Sequence, residues 1–422
     1  MLTLTGKPCF NKSNKGRVRM NFSTSSRAKK SQAALFAVLV AGSLLAATPV
    51  SNAAAAVKIG SACSTADAIA VSTTAKTVTC KNKKWTAYKQ ESFVYSGTSV
   101  PYGPKEEFAT YAVPKQMGYF DAENLTVTSQ ASAGANVAIA AVASGAVDIA
   151  GADLGPVMQA IEKGTNIIVI GGLVQNWPWA MAVKKGSPIT KPADLKGKKI
   201  GIVSFTSGSY PYTKAWLKDN NMTETDVTLV ATGTPAAAEN AIKNGDVDAL
   251  AWYTAVYANI EFAGTALTYL PNGPAFKGVR SLSWVANADK YAANPEVFER
   301  FLRGAIKGLI YSNTNIKSAV ALGMKEYPQL LLGSTLEAKS PAAVASLTAW
   351  LASAKPLTGT PSTWKNLGSI TKAEWTINQN YATLAGNKKI AIDFDAFLDT
   401  DTIERANSFD RAPIVAAAKK AK

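Results

Sequence analysis

The chain contains no histidine. That absence removes Ser-His-Asp and Cys-His nucleophilic arrangements, helix-borne zinc motifs that use His, and imidazole pH switches. Three cysteines occur, Cys9, Cys63 and Cys80. If the last two pair, no free thiol nucleophile remains in the mature chain; a two-cysteine metal site has no further soft ligand to complete it. Acid–base chemistry by carboxylates, Lys or Tyr stays open, with Asp153 or Glu106 as its carriers. No cofactor and no metal are expected. The remaining polar pattern suits binding. Two loops combine small residues with the expected start of a helix: Ser132-Ala-Gly134-Ala-Asn136, and Ser204-Phe-Thr206-Ser207-Gly208-Ser209-Tyr210. Orphan N–H groups and the helix dipole make such starts suited to anions; ordinary capping by Ser and Thr is the competing reading. Aromatics stand near expected strand ends: Tyr102, Gln175-Asn-Trp177-Pro-Trp179 and Trp252-Tyr253. They suit stacking on a ring or cupping a cation, or packing between lobes. Asp153 suits an ammonium group or a helix cap. Glu106 and Glu107 suit the dipole of the helix that follows them.

These residues disagree on the sign of a ligand. Hydroxyl loops favour an anion, whereas Asp153 with Trp177 and Trp252 favours a cation. A zwitterion or a pyrimidine-like heteroaromatic reconciles them. Ser207, Gly208, Trp252, Asp153 and Trp177 are the strongest contact candidates, and Trp252→Ala is expected to weaken binding while the fold survives.

Two echoes show what positions these groups. Ser144-Gly-Ala-Val-Asp148-Ile-Ala and Asn244-Gly-Asp-Val-Asp248-Ala-Leu lie one hundred residues apart. Each reads as a helix stopped by glycine (Gly145, Gly245) and followed by a short buried strand. Around them helix and strand alternate, implying mainly parallel sheets flanked by helices. Ligands sit outside the carboxyl ends of such strands, so two facing sheets make a cleft. The expected fold is α/β with two lobes. Residues 93–183 and 285–422 form lobe 1, with helices at 296–311, 318–327, 341–353 and 372–384; residues 184–284 form lobe 2. Ala180–Lys184 and Arg280–Ala286 are the expected crossings. The Ala/Lys tail after Ala412 reads as a fraying terminus.

Residues 1–53 read as a signal peptide: eight Lys or Arg and no Asp or Glu, an apolar run from Ala33 to Ala47, then Ser51-Asn-Ala53. The start is Met1 or Met20, and a membrane anchor is the alternative. No twin arginine precedes the apolar run and no Cys sits at the cleavage region, which favours the general secretory route and argues against a lipoprotein. The expected location is extracellular, periplasmic or wall-associated. Half of the +16 formal charge lies in this segment. The rest shows no basic cluster interleaved with aromatics, so no nucleic-acid partner is expected. In an oxidising compartment a Cys63–Cys80 disulfide follows. Residues 54–92 would then be a small stapled module, too short to fold without one; it resembles a Cys-pair module at the start of secreted actinobacterial proteins.

Four ordered motifs carry a wider resemblance: Met117-Gly-Tyr-Phe-Asp-Ala-Glu123-Asn-Leu125-Thr-Val127, Ala143 to Ala150, Pro192-Ala-Asp-Leu-Lys-Gly-Lys-Lys-Ile-Gly201, and Asn244 to Ala249. Together they resemble the ABC-importer binding proteins of the nitrate, sulfonate, taurine and thiamine-pyrimidine-precursor type, over residues 94–400. Asn124 stands where that family has glycine, which a left-handed Asn accommodates. The resemblance implies a type II periplasmic-binding-protein fold. It also implies a monomer that closes on a small sulfonate-, betaine- or pyrimidine-like solute and delivers it to a membrane permease. Pyrimidine synthases and sulfinate-cleaving enzymes share the fold, but the His and Cys they depend on are missing here. A secreted enzyme or a sensor on this fold is the alternative.

Overall fold

The two echoes fold alike. Gly145 (φ 75°) and Gly245 (φ 80°) follow the helices Ala135–Ala143 and Pro235–Asn244 in the left-handed region. Asp148 Oδ2 then accepts the Val94 N–H at 2.7 Å, and Asp248 Oδ2 accepts the Lys199 N–H at 2.8 Å. Each carboxylate ties the strand that follows it to its neighbour, which explains why both echoes carry Asp at that position.

The computed structural model describes residues 55–422 apart from Asn387. The expected signal segment and Cys9 lie outside the described residues. In chain order the strands are β1 (Ile69–Val71), β2 (Thr77–Lys81), β3 (Lys84–Ala87), β4 (Glu91–Gly97), β5 (Leu125–Ala131), β6 (Ile149–Asp153), β7 (Ile167–Gly172), β8 (Trp179–Lys184), β9 (Lys199–Ile202), β10 (Thr228–Ala231), β11 (Ala249–Tyr253), β12 (Leu267–Leu270) and β13 (Leu282–Asn287). They form three sheets, ordered β1-β2-β3, β5-β4-β6-β13-β7 and β10-β9-β11-β8-β12.

The two five-stranded sheets share one plan. In each, four strands run the same way and one runs against them, β13 in the first and β8 in the second. Each reversed strand is the one the chain enters on arriving from the other sheet. The crossings are therefore 173–178 and 271–281. Ala180–Lys184, expected as a crossing, lies inside β8, hydrogen-bonded on both sides by β11 and β12. Of Arg280–Ala286, only Arg280 and Ser281 precede β13. A strand paired on both edges satisfies its backbone better than a solvated link, and the run Ala180-Met-Ala-Val183 supplies apolar side chains for both faces.

The small N-terminal sheet is stapled by Cys63–Cys80, with Cα atoms 5.9 Å apart. Its β2–β3 turn places Asn82 and Lys83 at positive φ, the conformation of a two-residue hairpin. The module is clipped to the first large sheet through buried Glu123. That carboxylate accepts bonds from Thr77 Oγ1, Arg303 and Lys307. Asn124 adopts φ 53°, as its place in the motif requires.

Helix Pro295–Thr314 backs the first sheet, where Phe93 and Phe301 stack 4.8 Å apart. Helix Lys372–Gly386 packs on both Leu154–Glu162 beside the first sheet and Ser209–Asp219 beside the second. Gln159 Nε2 and Lys218 Nζ donate to its carbonyls at Ala382 and Leu384. The tail does not fray: Ala412–Lys420 is helical, buries Ile414 and Ala418 against Pro295–Thr314, and receives Asn315 Nδ2 at the Ala418 carbonyl. Alanine favours helix and the apolar spacing of Ile414 and Ala418 supplies a docking face.

Candidate functional site

The carboxyl ends of the two sheets meet. Gly134 (φ 105°) starts the helix after β5, and a Cβ placed there would stand 2.9 Å from the Thr206 carbonyl oxygen on the loop after β9. Thr206 Oγ1 donates to the Ala133 carbonyl at 2.9 Å, and the Asn136 N–H donates to the Thr206 carbonyl at 3.2 Å. One rim thus fills the helix start that was expected to hold an anion. The second loop also satisfies itself. Ser207 Oγ accepts the Ser209 N–H and donates to the Ser204 carbonyl, and Ser209 Oγ accepts the Val203 N–H. These hydroxyls cap their own turn. Tyr210 lies against Phe205 and under the Lys214 ammonium. Ser132 is buried and shares a hydrogen bond with Ser96 on β4.

Beneath the rims lies a buried charged floor. Asp153 ends β6 and is about 7% exposed. Its Oδ1 accepts the indole N–H of Trp179 at 3.3 Å and the hydroxyl of Ser281, so groups from β8 and from the second crossing hold it. A Cβ on Gly208 would lie 2.1 Å from Asp153 Oδ2. Burial pushes the Asp153 carboxyl above its usual range, against the Ser281 and Trp179 hydrogen bonds.

Lys105, Glu106 and Glu107 stand beside it, all buried. Lys105 Nζ donates to Glu107 Oε1 at 2.7 Å and to Glu106 Oε1. Ser99 Oγ also donates to Glu107 Oε1, while Glu107 Oε2 is buried without a partner. Burial and the neighbouring Glu106 charge push Glu107 up to about 7, against the pull of Lys105. For Lys105 the two glutamates outweigh burial and hold the ammonium charged. Tyr253 at the end of β11 feels Lys105, Glu106 and Glu107 from the opposite sheet. Its ring meets Trp179 edge-on, 5.4 Å between centroids. Tyr102 closes the near side, against Tyr327.

Asp153, Gly208, Tyr253 and Tyr102 are thus gathered around one floor, with Gly134 and Thr206 at its rim. Trp177 stands one step back, in an aromatic cluster with Tyr212, Phe276 and Tyr381, its indole N–H buried without a partner. Trp252 lies elsewhere: it is 1% exposed in the core beneath the helices after β10 and β11, with Nε1 donating to Thr232 Oγ1. Its ring and that of Tyr253 lie 5.8 Å apart, but Trp252 is enclosed by that core while Tyr253, the last residue of β11, reaches Trp179. Sequence reasoning did not single out Lys105, Ser281 or Tyr381 as site residues, and gave Glu106 and Glu107 only a dipole or catalytic role. The available signal was three consecutive charges directly before the apolar run Phe108–Val113. No local signal marks Tyr381, whose ring would clash with a Cβ on Gly155, two residues after Asp153.

A family model described as NMT1/THI5 like matches residues 105–316. The riboflavin-binding protein RibY of Chloroflexus aurantiacus is 26% identical over 247 residues, covering 56% of this chain and 67% of that protein. Among solved structures, the periplasmic aliphatic sulphonate-binding protein SsuA of Escherichia coli superposes with a TM-score of 0.55 at 18% identity, covering 71% of this chain and 90% of its own. The alkanesulfonate-binding protein SsuA of Xanthomonas axonopodis pv. citri gives 0.53 at 17% identity, covering 78% and 97%. The fold is therefore that of the periplasmic binding proteins, with matching ends of two like-ordered sheets facing one another. By the family match across half its length, this chain belongs to the NMT1/THI5-like family.

Proposed function

We propose that this chain is the exported solute-binding component of an ABC importer, taking a small organic solute between its two sheets and handing it unchanged to a membrane permease. One observation carries the reading: the Ala133 and Thr206 rims bond across the mouth of a floor whose Asp153 and Glu107 carboxylates are buried away from water. A hinged receptor needs such mating rims, because closure of two bodies about their crossings encloses the guest. Asp153, Tyr253, Tyr102 and Trp179 would meet the solute. Gly134, Thr206, Ser207, Gly208 and Ser209 would form the closing edge, and Trp177 and Tyr210 would support it.

Family membership, the riboflavin-binding relative and the sulfonate-binding neighbours support solute capture as the class of activity. The basic-then-apolar order of residues 1–53 supports export by the general secretory route. No helix among the described residues is long and apolar enough to cross a membrane. The chain would work as a monomer by binding alone. The test is native mass spectrometry of the exported protein purified without refolding, combined with small-angle scattering. A co-purified solute recovered unaltered, and a smaller radius of gyration when it is returned to stripped protein, is the expected result. Turnover of the bound compound, or identical scattering with and without it, refutes the proposal.

A further inference from the structure

The floor carries more negative than positive groups. Glu106 and Glu107 share one ammonium, Lys105, while Asp153 is held by Trp179 and Ser281 with no cation hydrogen-bonded to it among the described residues. Two buried oxygens there have no hydrogen-bond partner, Glu107 Oε2 and Tyr95 Oη. Two of the backbone donors at the helix starts beside this floor are taken up by the protein itself. Asn136 N–H is bonded to Thr206, and Ser209 N–H to Ser207. The rings of Trp179 and Tyr253 stand at 82° to each other beside Asp153, making two adjoining walls.

Unpaired buried carboxylate oxygens are costly and call for a donor or a positive charge, and aromatic faces attract the same kind of group. We infer that the guest is an organic cation, an alkylammonium, amidinium or protonated aminoheterocycle, held by Asp153 and the Glu106–Glu107 pair and flanked by Trp179 and Tyr253. This rests on the solute-binding reading above and narrows it, setting aside simple sulfonates, nitrate and carboxylates.

A proton signature accompanies such a guest. Glu107 faces Lys105 and Glu106 from its own segment, Tyr95 from β4, Tyr102 from the preceding loop, Tyr327 from the helical side, and Tyr253 from the opposite sheet. Burial holds Glu107 partly protonated near neutral pH and raises Asp153 as well. A cation favours the ionised carboxylates, so its binding releases protons and strengthens from pH 6 to pH 8. An anion would take protons up and weaken over the same range.

The experiment is calorimetric titration of the ligand-stripped exported protein at pH 6 and pH 8, in two buffers of different ionisation enthalpy. The probes are choline, agmatine and 4-aminopyridine against methanesulfonate, ethanesulfonate and nitrate. Binding of a cationic probe with proton release supports the inference. So does a weakening of about 10- to 100-fold in Asp153→Asn, with folding checked by circular dichroism; proton release by the unsubstituted protein reads the same point if that variant fails to fold. Binding of methanesulfonate, ethanesulfonate or nitrate with proton uptake overturns the cation assignment and leaves the receptor reading standing. No binding by any of the three cations overturns the assignment too. The receptor reading fails separately, if the scattering curve also ignores a metabolite extract.

Discussion

Gly208→Ala separates closing from folding. Gly208 has φ −62° and ψ −18°, a conformation open to any residue, so alanine costs no backbone strain there. Its Cβ would nevertheless fall 2.1 Å from Asp153 Oδ2 and 3.0 Å from Trp179 Cζ2. The closed form then survives only if Asp153 swings away from Trp179 Nε1 and Ser281 Oγ. Two hydrogen bonds to a charged group are worth about 1.5–3 kcal/mol each, so closure becomes about 3 kcal/mol or more harder. That corresponds to roughly a hundredfold loss of affinity. Scattering should show a larger radius of gyration than the unsubstituted protein, and calorimetry with the co-purified solute should show the weaker binding, while the melting temperature barely moves. Gly103→Ala is the control, since nothing lies within 4 Å of its Cβ position. If Gly208→Ala keeps both the scattering curve and the affinity, the two sheets do not meet at Asp153 and the closing mechanism is wrong.

Three further outcomes follow from other parts of the molecule. Trp252→Ala empties a fully buried site in the second sheet's core and should lower stability by about 3–5 kcal/mol, read by chemical denaturation; a melt unchanged within a degree would put that indole in the cleft after all. Glu107 is raised to about 7 in the folded state, so the native state holds an extra proton between roughly pH 4.5 and 7 and stability falls as pH rises through that window. Burial and Glu106 together set this at no more than about 3 kcal/mol, and Glu107→Gln should flatten the curve of melting temperature against pH, whereas an equal slope in both proteins contradicts it. Replacing Cys63 and Cys80 by serine opens a loop of sequence separation 17 and should destabilise by about 3 kcal/mol in the chain-entropy account. The loss should appear first as early proteolysis at 57–90, and intact digestion profiles would argue that Glu123 and its cations alone hold the module.

Much of the architecture could be read from short stretches. Gly145 and Gly245 end helices because glycine enters the left-handed region at little cost, and each echo's Asp is needed wherever a parallel strand must be pinned at that height. Asn124 takes the turn its motif demands. Other parts resisted. Ala180–Val183 is apolar whether it crosses between sheets or pairs within one, and only the edges offered by β11 and β12 settle the matter. The tail from Ala412 looks featureless until helix Pro295–Thr314 presents a surface for Ile414 and Ala418.

Residue types and their spacing determined the alternation of helix and strand, the repeated echo, the cysteine pair and the absence of histidine chemistry, because backbone preference and periodicity act over a few residues. Which charges are buried was settled by packing alone. Lys105, Glu106 and Glu107 look like a solvated helix start in one dimension; they become a floor because β4, β6 and β11 bring Asp153 and Tyr253 against them. Trp252 and Tyr253 are adjacent in the chain with rings 5.8 Å apart, yet Trp252 is enclosed in a core while Tyr253 reaches Trp179 beside Asp153, because the partners packed around each ring differ. Desolvation depends on everything around a group, and those neighbours are drawn from stretches as distant as Tyr381, so no local pattern records it.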